Sequence, residues 1–202
     1  MSKKDISSIV SGAGLLASVW TELMAQVQKL GGTDDDIHRL TRPEGRETIV
    51  KMAEVIVGNT AEVFQIVVDH SQTLADMITA GKYDWVNPDI TQDHFPISGN
   101  GIVELTPELI HFGKSMGTDN VFKELDRRCL RPATLAELLA FGAKHPEKQR
   151  EFPIVALGSV WAHSLGYRGV PYLGESASKR SLDFYWYDVG WGGSFRFLVC
   201  RK

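Results

Sequence analysis

The feature that most constrains the fold is a strict alternation near the C-terminus, over residues 181–188. Leu182, Phe184 and Trp186 alternate with Asp183, Tyr185 and Tyr187. Side chains on a strand point to opposite faces with a period of two, so this pattern predicts a strand with a core face and a half-exposed face. Its surroundings are also strand-like. Residues 154–161, 170–173 and 195–200 are apolar or β-branched runs. Gly190-Trp191-Gly192-Gly193 reads as the turn of a hairpin joining 181–188 to 195–200. Before these strands, Thr134-Leu135-Ala136-Glu137 is a capping box, and its helix runs to Pro146. Residues 131–202 therefore read as a helix followed by a four-stranded antiparallel sheet.

Upstream the period changes to that of a helix. Ile6, Ile9, Val10, Ala13, Leu16, Ala17, Trp20, Met24, Val27 and Leu30 recur at helical spacing. Thr33 with Asp34, Asp35 and Asp36 reads as a second helix start, where acids suit the positive helix end. Thr41-Arg42-Pro43-Glu44 opens a third helix that turns Ile49, Met52, Ala53 and Ile56 inward and stops at Gly58. Residues 1–58 are thus expected to be helical. Residues 59–130 read as mixed. They hold a buried strand at 63–68, a helix capped by Ser71, an edge strand within 102–112 and a helix capped by Asp119. The fold class is α+β, with the three sections able to share one core.

Composition removes several function classes. The net charge is −3, so no global field draws the chain to nucleic acid or anionic lipid. No run approaches the ~18 apolar residues of a membrane helix. Two cysteines, Cys129 and Cys200, fit no metal spacing and no disulfide framework. Free thiols point to the cytoplasm.

The motifs are few. Gly12-Ala13-Gly14-Leu15-Leu16-Ala17 has the letters of a dinucleotide fingerprint, but no buried strand precedes it. Residues 174–181 echo a phosphate loop yet lead into a strand, not a helix. No cofactor is expected. Two Asp-His pairs, Asp69-His70 and Asp93-His94, combine a carboxylate with an imidazole, the groups that bind a divalent metal or work as a base with its orienter. They are the weak catalytic candidates, and they would serve a metal-dependent hydrolase. The aromatics Tyr185, Tyr187 and Trp191 lie near Arg180 and Arg196. Those five residues form a candidate binding surface for a protein. Stacking and phosphate contact by the same residues would suit single-stranded nucleic acid instead.

The runs ATLAELLAFGAKHPEKQREFPIVALGS (Ala133 to Ser159) and RFLVCRK (Arg196 to Lys202) resemble the ends of uncharacterised bacterial proteins. The stretch from Met77 to Thr91 is similar to a segment upstream in them. The resemblance implies a bacterial, intracellular origin and brings no activity, cofactor or site residue. The expectation is a soluble, non-enzymatic binding or adaptor protein.

Overall fold

The computed structural model describes the backbone of residues 3–56 and 62–202, in two compact units, Met1–Val57 and Gly58–Lys202. The architecture is mixed α+β, with seven helices and a large mixed sheet among the described residues.

The first unit is helical, as its periodicity predicts. Helix α1 (Lys3–Lys29) is followed by Gly31 in the left-handed region. Helix α2 (Asp34–His38) begins where the Asp36 carboxylate accepts from the Thr33 amide and hydroxyl. Two 3-10 turns, Arg39–Thr41 and Pro43–Gly45, lead into α3 (Arg46–Ile56). The expected inward stripe of α3 needs correction. Ile49 is 48% exposed, Ala53 is exposed and Met52 is half-buried. Within its unit α3 rests on the two 3-10 turns, which are too small to cover a helix face. The side chain of Ile56 and the predicted stop at Gly58 lie outside the described residues.

The second unit is built on a nine-stranded sheet. Its strands are β1 (Glu62–Val63), β3 (Trp85–Val86), β5 (Glu108–His111), β6 (Leu130–Pro132), β7 (Ile154–Val155), β8 (Trp161–Ala162), β9 (Arg168–Ser176), β10 (Lys179–Trp186) and β11 (Arg196–Arg201). The main path runs β1-β5-β11-β7-β9-β10-β3, with β6 beside β11 and β8 beside β9. A separate ribbon pairs β2 (Ile66–Asp69) with β4 (Ile102–Leu105). Helices α4 (Leu74–Gly81) and α6 (Leu135–Lys144) supply Leu74, Met77, Leu138 and Phe141 to a core cluster shared with Leu173, Leu182 and Leu198 of the sheet. Helix α5 (Thr118–Arg127) supplies Val121 and Leu125 to a second cluster with Val170, Trp191, Phe197 and Val199. Strand β11 is therefore apolar on both sides. Leu198 goes to one cluster and Phe197 and Val199 to the other, which is why its sequence is a continuous apolar run. Each such side chain, fully buried, contributes about 1.5–3 kcal/mol.

Local chemistry sets the helix ends. At α6 the Glu137 carboxylate accepts the Thr134 amide at 2.8 Å, and Arg131 pairs with the same carboxylate at 2.8 Å. This is the capping box expected there, and the cap is worth about 1 kcal/mol. At α4 the cap is Thr73, not Ser71. The Ser71 hydroxyl and amide instead donate to Asp69. Helix α5 starts after Gly117 with Asp119 in its first turn.

The sheet differs from its expectation in pairing. Strands β10 and β11 do not form a hairpin. Strand β10 pairs with β9 and β3, and β11 pairs with β5, β6 and β7. The physical reason is Trp191. Its indole is 2% exposed, its Nε1 donates to Thr118 Oγ1 at 3.0 Å, and its backbone exchanges hydrogen bonds with Met116. The segment 187–195 is thus drawn under α5 and cannot serve as a tight turn. The expected edge strand within 102–112 is two strands, and β5 lies inside the sheet between β1 and β11. Likewise 154–161 divides into β7 and β8. Sections 59–130 and 131–202 both contribute strands to the nine-stranded sheet and side chains to both core clusters.

Candidate functional site

Strands β8, β9 and β10 place Trp161, Gly169 and Trp186 in one cross-strand row. Gly169 has no side chain, so the Phe184 ring lies over it; a Cβ there would come 2.9 Å from Phe184 Cδ2. The gap lets rings from three strands meet. Trp161 contacts Phe184 edge-on with centroids 5.4 Å apart, and Phe184 contacts Trp186 at 5.2 Å. Trp186 meets Tyr167 at 5.7 Å, Tyr167 meets His163 at 6.5 Å, and His163 closes the circuit on Trp161 at 5.1 Å. These are ordinary edge and tilted aromatic geometries.

The loop that completes the circuit is held by its own backbone. His163 and Tyr167 are joined by an N–H···O bond of 2.7 Å, and the Leu165 amide donates to His163 Nδ1 at 3.1 Å. That turn directs Leu165 and Tyr167 outward, 75% and 58% exposed. Trp186 is 39% exposed. The circuit is the open edge of the first core cluster, since Trp161 and Phe184 also pack against it. A fixed apolar patch results, with Tyr167 and Trp186 exposed on it.

The Asp-His pairs take separate places. His94 lies flat on Trp161, and its Nδ1 donates to the Asp89 carbonyl at 2.9 Å. Asp93 is exposed beside it in sequence. Asp69 folds its carboxylate back on Ser71, whose hydroxyl and amide hold it below the usual carboxylate range. It also rims an apolar groove of about 490 Å³ between α4 and α6. His70 faces a different groove with Thr73 and Thr91. Its Nδ1 is buried without a partner among the described residues under Gly99, where φ of +128° and a Cβ contact of 2.5 Å leave room for glycine alone. Among the described residues no three His, Cys, Asp or Glu side chains are grouped as a metal would require.

The residues expected to form a binding surface are mostly structural. Arg180 is 6% exposed. Its guanidinium donates to the carbonyls of Gly81 and Gly142 at 2.8 and 2.9 Å and to Gln149 Oε1 at 3.0 Å. Gly81 and Gly142 lie at the negative ends of α4 and α6, so two helix dipoles balance a guanidinium that no carboxylate among the described residues pairs with. Trp191 is core, as described. Tyr185 and Tyr187 are half-buried in the second cluster, near Trp191 and Phe122 respectively. The face that bears them is covered. Arg196 lies over the Phe152 ring at 4.6 Å. Of the expected core face, Leu182 is buried, Phe184 half-buried and Trp186 open. The residues missed by sequence reasoning are Trp161, His163 and Tyr167. Their signal was a run without charge, 156–167, ending two residues before Gly169.

Comparison with known proteins adds no relative. No protein family matches the chain, and no curated protein or solved structure matches it either. No helix among the described residues is long and apolar enough to cross a membrane.

Proposed function

We propose that the chain is a non-enzymatic binding or adaptor protein that takes another protein on the circuit Trp161–His163–Tyr167–Trp186–Phe184. The observation that carries this reading is the closed set of ring contacts with Trp186 and Tyr167 left open to solvent. Tryptophan and tyrosine dominate the energetics of protein interfaces, and they do so best when already held rigid. Here the rings are fixed by a hairpin and a sheet, so little side-chain freedom is lost on binding.

The same reading has the protein working in the bacterial cytoplasm. The unbridged thiols Cys129 and Cys200 support that compartment. The hydrolase alternative, on Asp69, His70, Asp93 and His94, gains no grouped ligand set. Single-stranded nucleic acid could stack on the same rings, but the arginines called on for phosphate contact, Arg180 and Arg196, are engaged within the fold.

The test is affinity capture with the full chain from a bacterial lysate. Wild type is compared with a Tyr167→Ser/Trp186→Ser variant and with Val67→Ser, an exposed control on the ribbon. Partners kept by the control and lost by the double variant support the reading. Identical partner lists for all three proteins overturn it.

A further inference from the structure

We infer that the occupant of the aromatic circuit is a cationic segment of a protein. The inference rests on the binding reading above and extends it to the chemistry of the partner. It is carried by the charges around the rings.

Residues 156–167, which supply Trp161, His163 and Tyr167, contain no Asp, Glu, Lys or Arg. The adjoining loop, residues 87–101, reaches the circuit through the stack of His94 on Trp161. It contains Asp89 and Asp93 and no Lys or Arg. Both acids are exposed, and neither has an ion-pair partner among the described residues. Asp93 precedes the stacked His94 directly, and the Asp89 carbonyl holds the His94 ring. The next base along the chain after Tyr167 is Arg168. It is paired with the Asp188 carboxylate, and its guanidinium lies 4.0 Å over the Tyr187 ring. Arg180 is buried. Lys179 sits at the opposite end of β10, about 23 Å from Trp186 along an extended strand.

Of the charged groups on the segments that form the circuit and its adjoining loop, Asp89 and Asp93 are uncompensated among the described residues, while Arg168 is already paired. A lysine or arginine side chain gains twice at such a place. It pairs with a carboxylate and also meets the negative face of an open indole. A polyanion meets repulsion and finds no base to release its counterions. Charge complementarity of this kind chooses between partners and speeds their encounter more than it raises affinity.

The experiment titrates the full chain at low salt with three labelled probes, read by fluorescence anisotropy. They are a short peptide of alternating lysine and leucine, its glutamate–leucine counterpart, and a single-stranded oligothymidine. The lysine peptide is expected to bind, and the other two are not. Asp89→Asn/Asp93→Asn should weaken the lysine peptide about tenfold, the effect of two exposed ion pairs. Trp186→Ser should weaken it as well. Both variants alter exposed side chains, and circular dichroism checks that they fold. Binding of the acidic peptide or the oligonucleotide in preference, or lysine-peptide binding that ignores the aspartates, overturns the inference. So does the absence of binding by any probe. In each of those cases the capture result with Tyr167→Ser/Trp186→Ser still decides the broader reading by itself.

Discussion

The His94 imidazole lies flat on the Trp161 indole, with centroids 4.1 Å apart and planes 15° from parallel. The contact joins the loop 87–101 to the hairpin that carries the aromatic circuit. Two loops far apart in sequence thereby become one surface.

Removing either ring should loosen that surface. Trp161→Ala is expected to cost about 2–3 kcal/mol, below the value for a fully buried tryptophan because the ring is half-exposed. His94→Ala is expected to cost about 1 kcal/mol, and the pair should couple by about 0.5–1.5 kcal/mol in a double-mutant cycle. Urea denaturation measures all three. Strict additivity would mean that the stack contributes nothing.

Arg180 ties the ends of α4 and α6 to strand β10. Arg180→Met removes the donors and leaves two helix-end carbonyls and the Gln149 amide oxygen buried and unpaired. A loss of about 3–5 kcal/mol is expected. Arg180→Lys should fall by about 2 kcal/mol, because an ammonium cannot reproduce the planar fork. A lysine variant as stable as wild type, by guanidinium denaturation, would show that the charge alone matters.

The turn between β9 and β10 is strained in a correctable way. Ala177 and Ser178 both have positive φ, 50° and 63°, with Ser176 and Lys179 paired across them. Two such residues form the turn preferred by Asn-Gly. Ala177→Asn/Ser178→Gly should raise stability by about 1 kcal/mol. The midpoint of thermal unfolding should rise, and a fall would mean that the side chains present hold the turn in some other way.

Glu124 gives an acid dependence. Hydrogen bonds from Arg127 first, then Arg128, bring its carboxyl down from 4.5 to about 2 against the opposing effect of burial. A depressed folded value means that the group stabilises the protein above its unfolded value. That contribution is present above about pH 4.5 and disappears as the pH falls toward 2. Arg127 is 68% exposed, so solvent screening reduces the contribution to about 1 kcal/mol. Wild type should exceed Glu124→Gln by that amount at pH 6, and the two should converge at pH 2. A gap independent of pH would remove the ion pairs from the account.

The elements with strong local chemistry are legible in the sequence. The capping box at Thr134 and Glu137 forms as read, because both partners lie within one helical turn. The alternation over 181–188 gives a strand. What failed is pairing and exposure. The predicted hairpin between 181–188 and 195–200 looks right locally, since glycines flank Trp191. Yet the indole gains more by burial beneath α5 than the turn gains by closing. Arg180 next to aromatics reads as a binding arginine, and only the convergence of two helix ends makes it a buried clasp.

By itself, the sequence determined the class of the fold, the helical first section, the capping box at Thr134 and Glu137 and the strand that carries Leu182, Phe184 and Trp186. Those follow from period and from contacts a few residues apart. The tertiary structure alone decided which face of that strand is covered, because α5 comes to it from a distant part of the chain and Trp191 folds back beneath α5. It also decided where the open rings collect. Trp161, Tyr167 and Trp186 become neighbours across β8, β9 and β10 because Gly169 leaves the space for Phe184 between them.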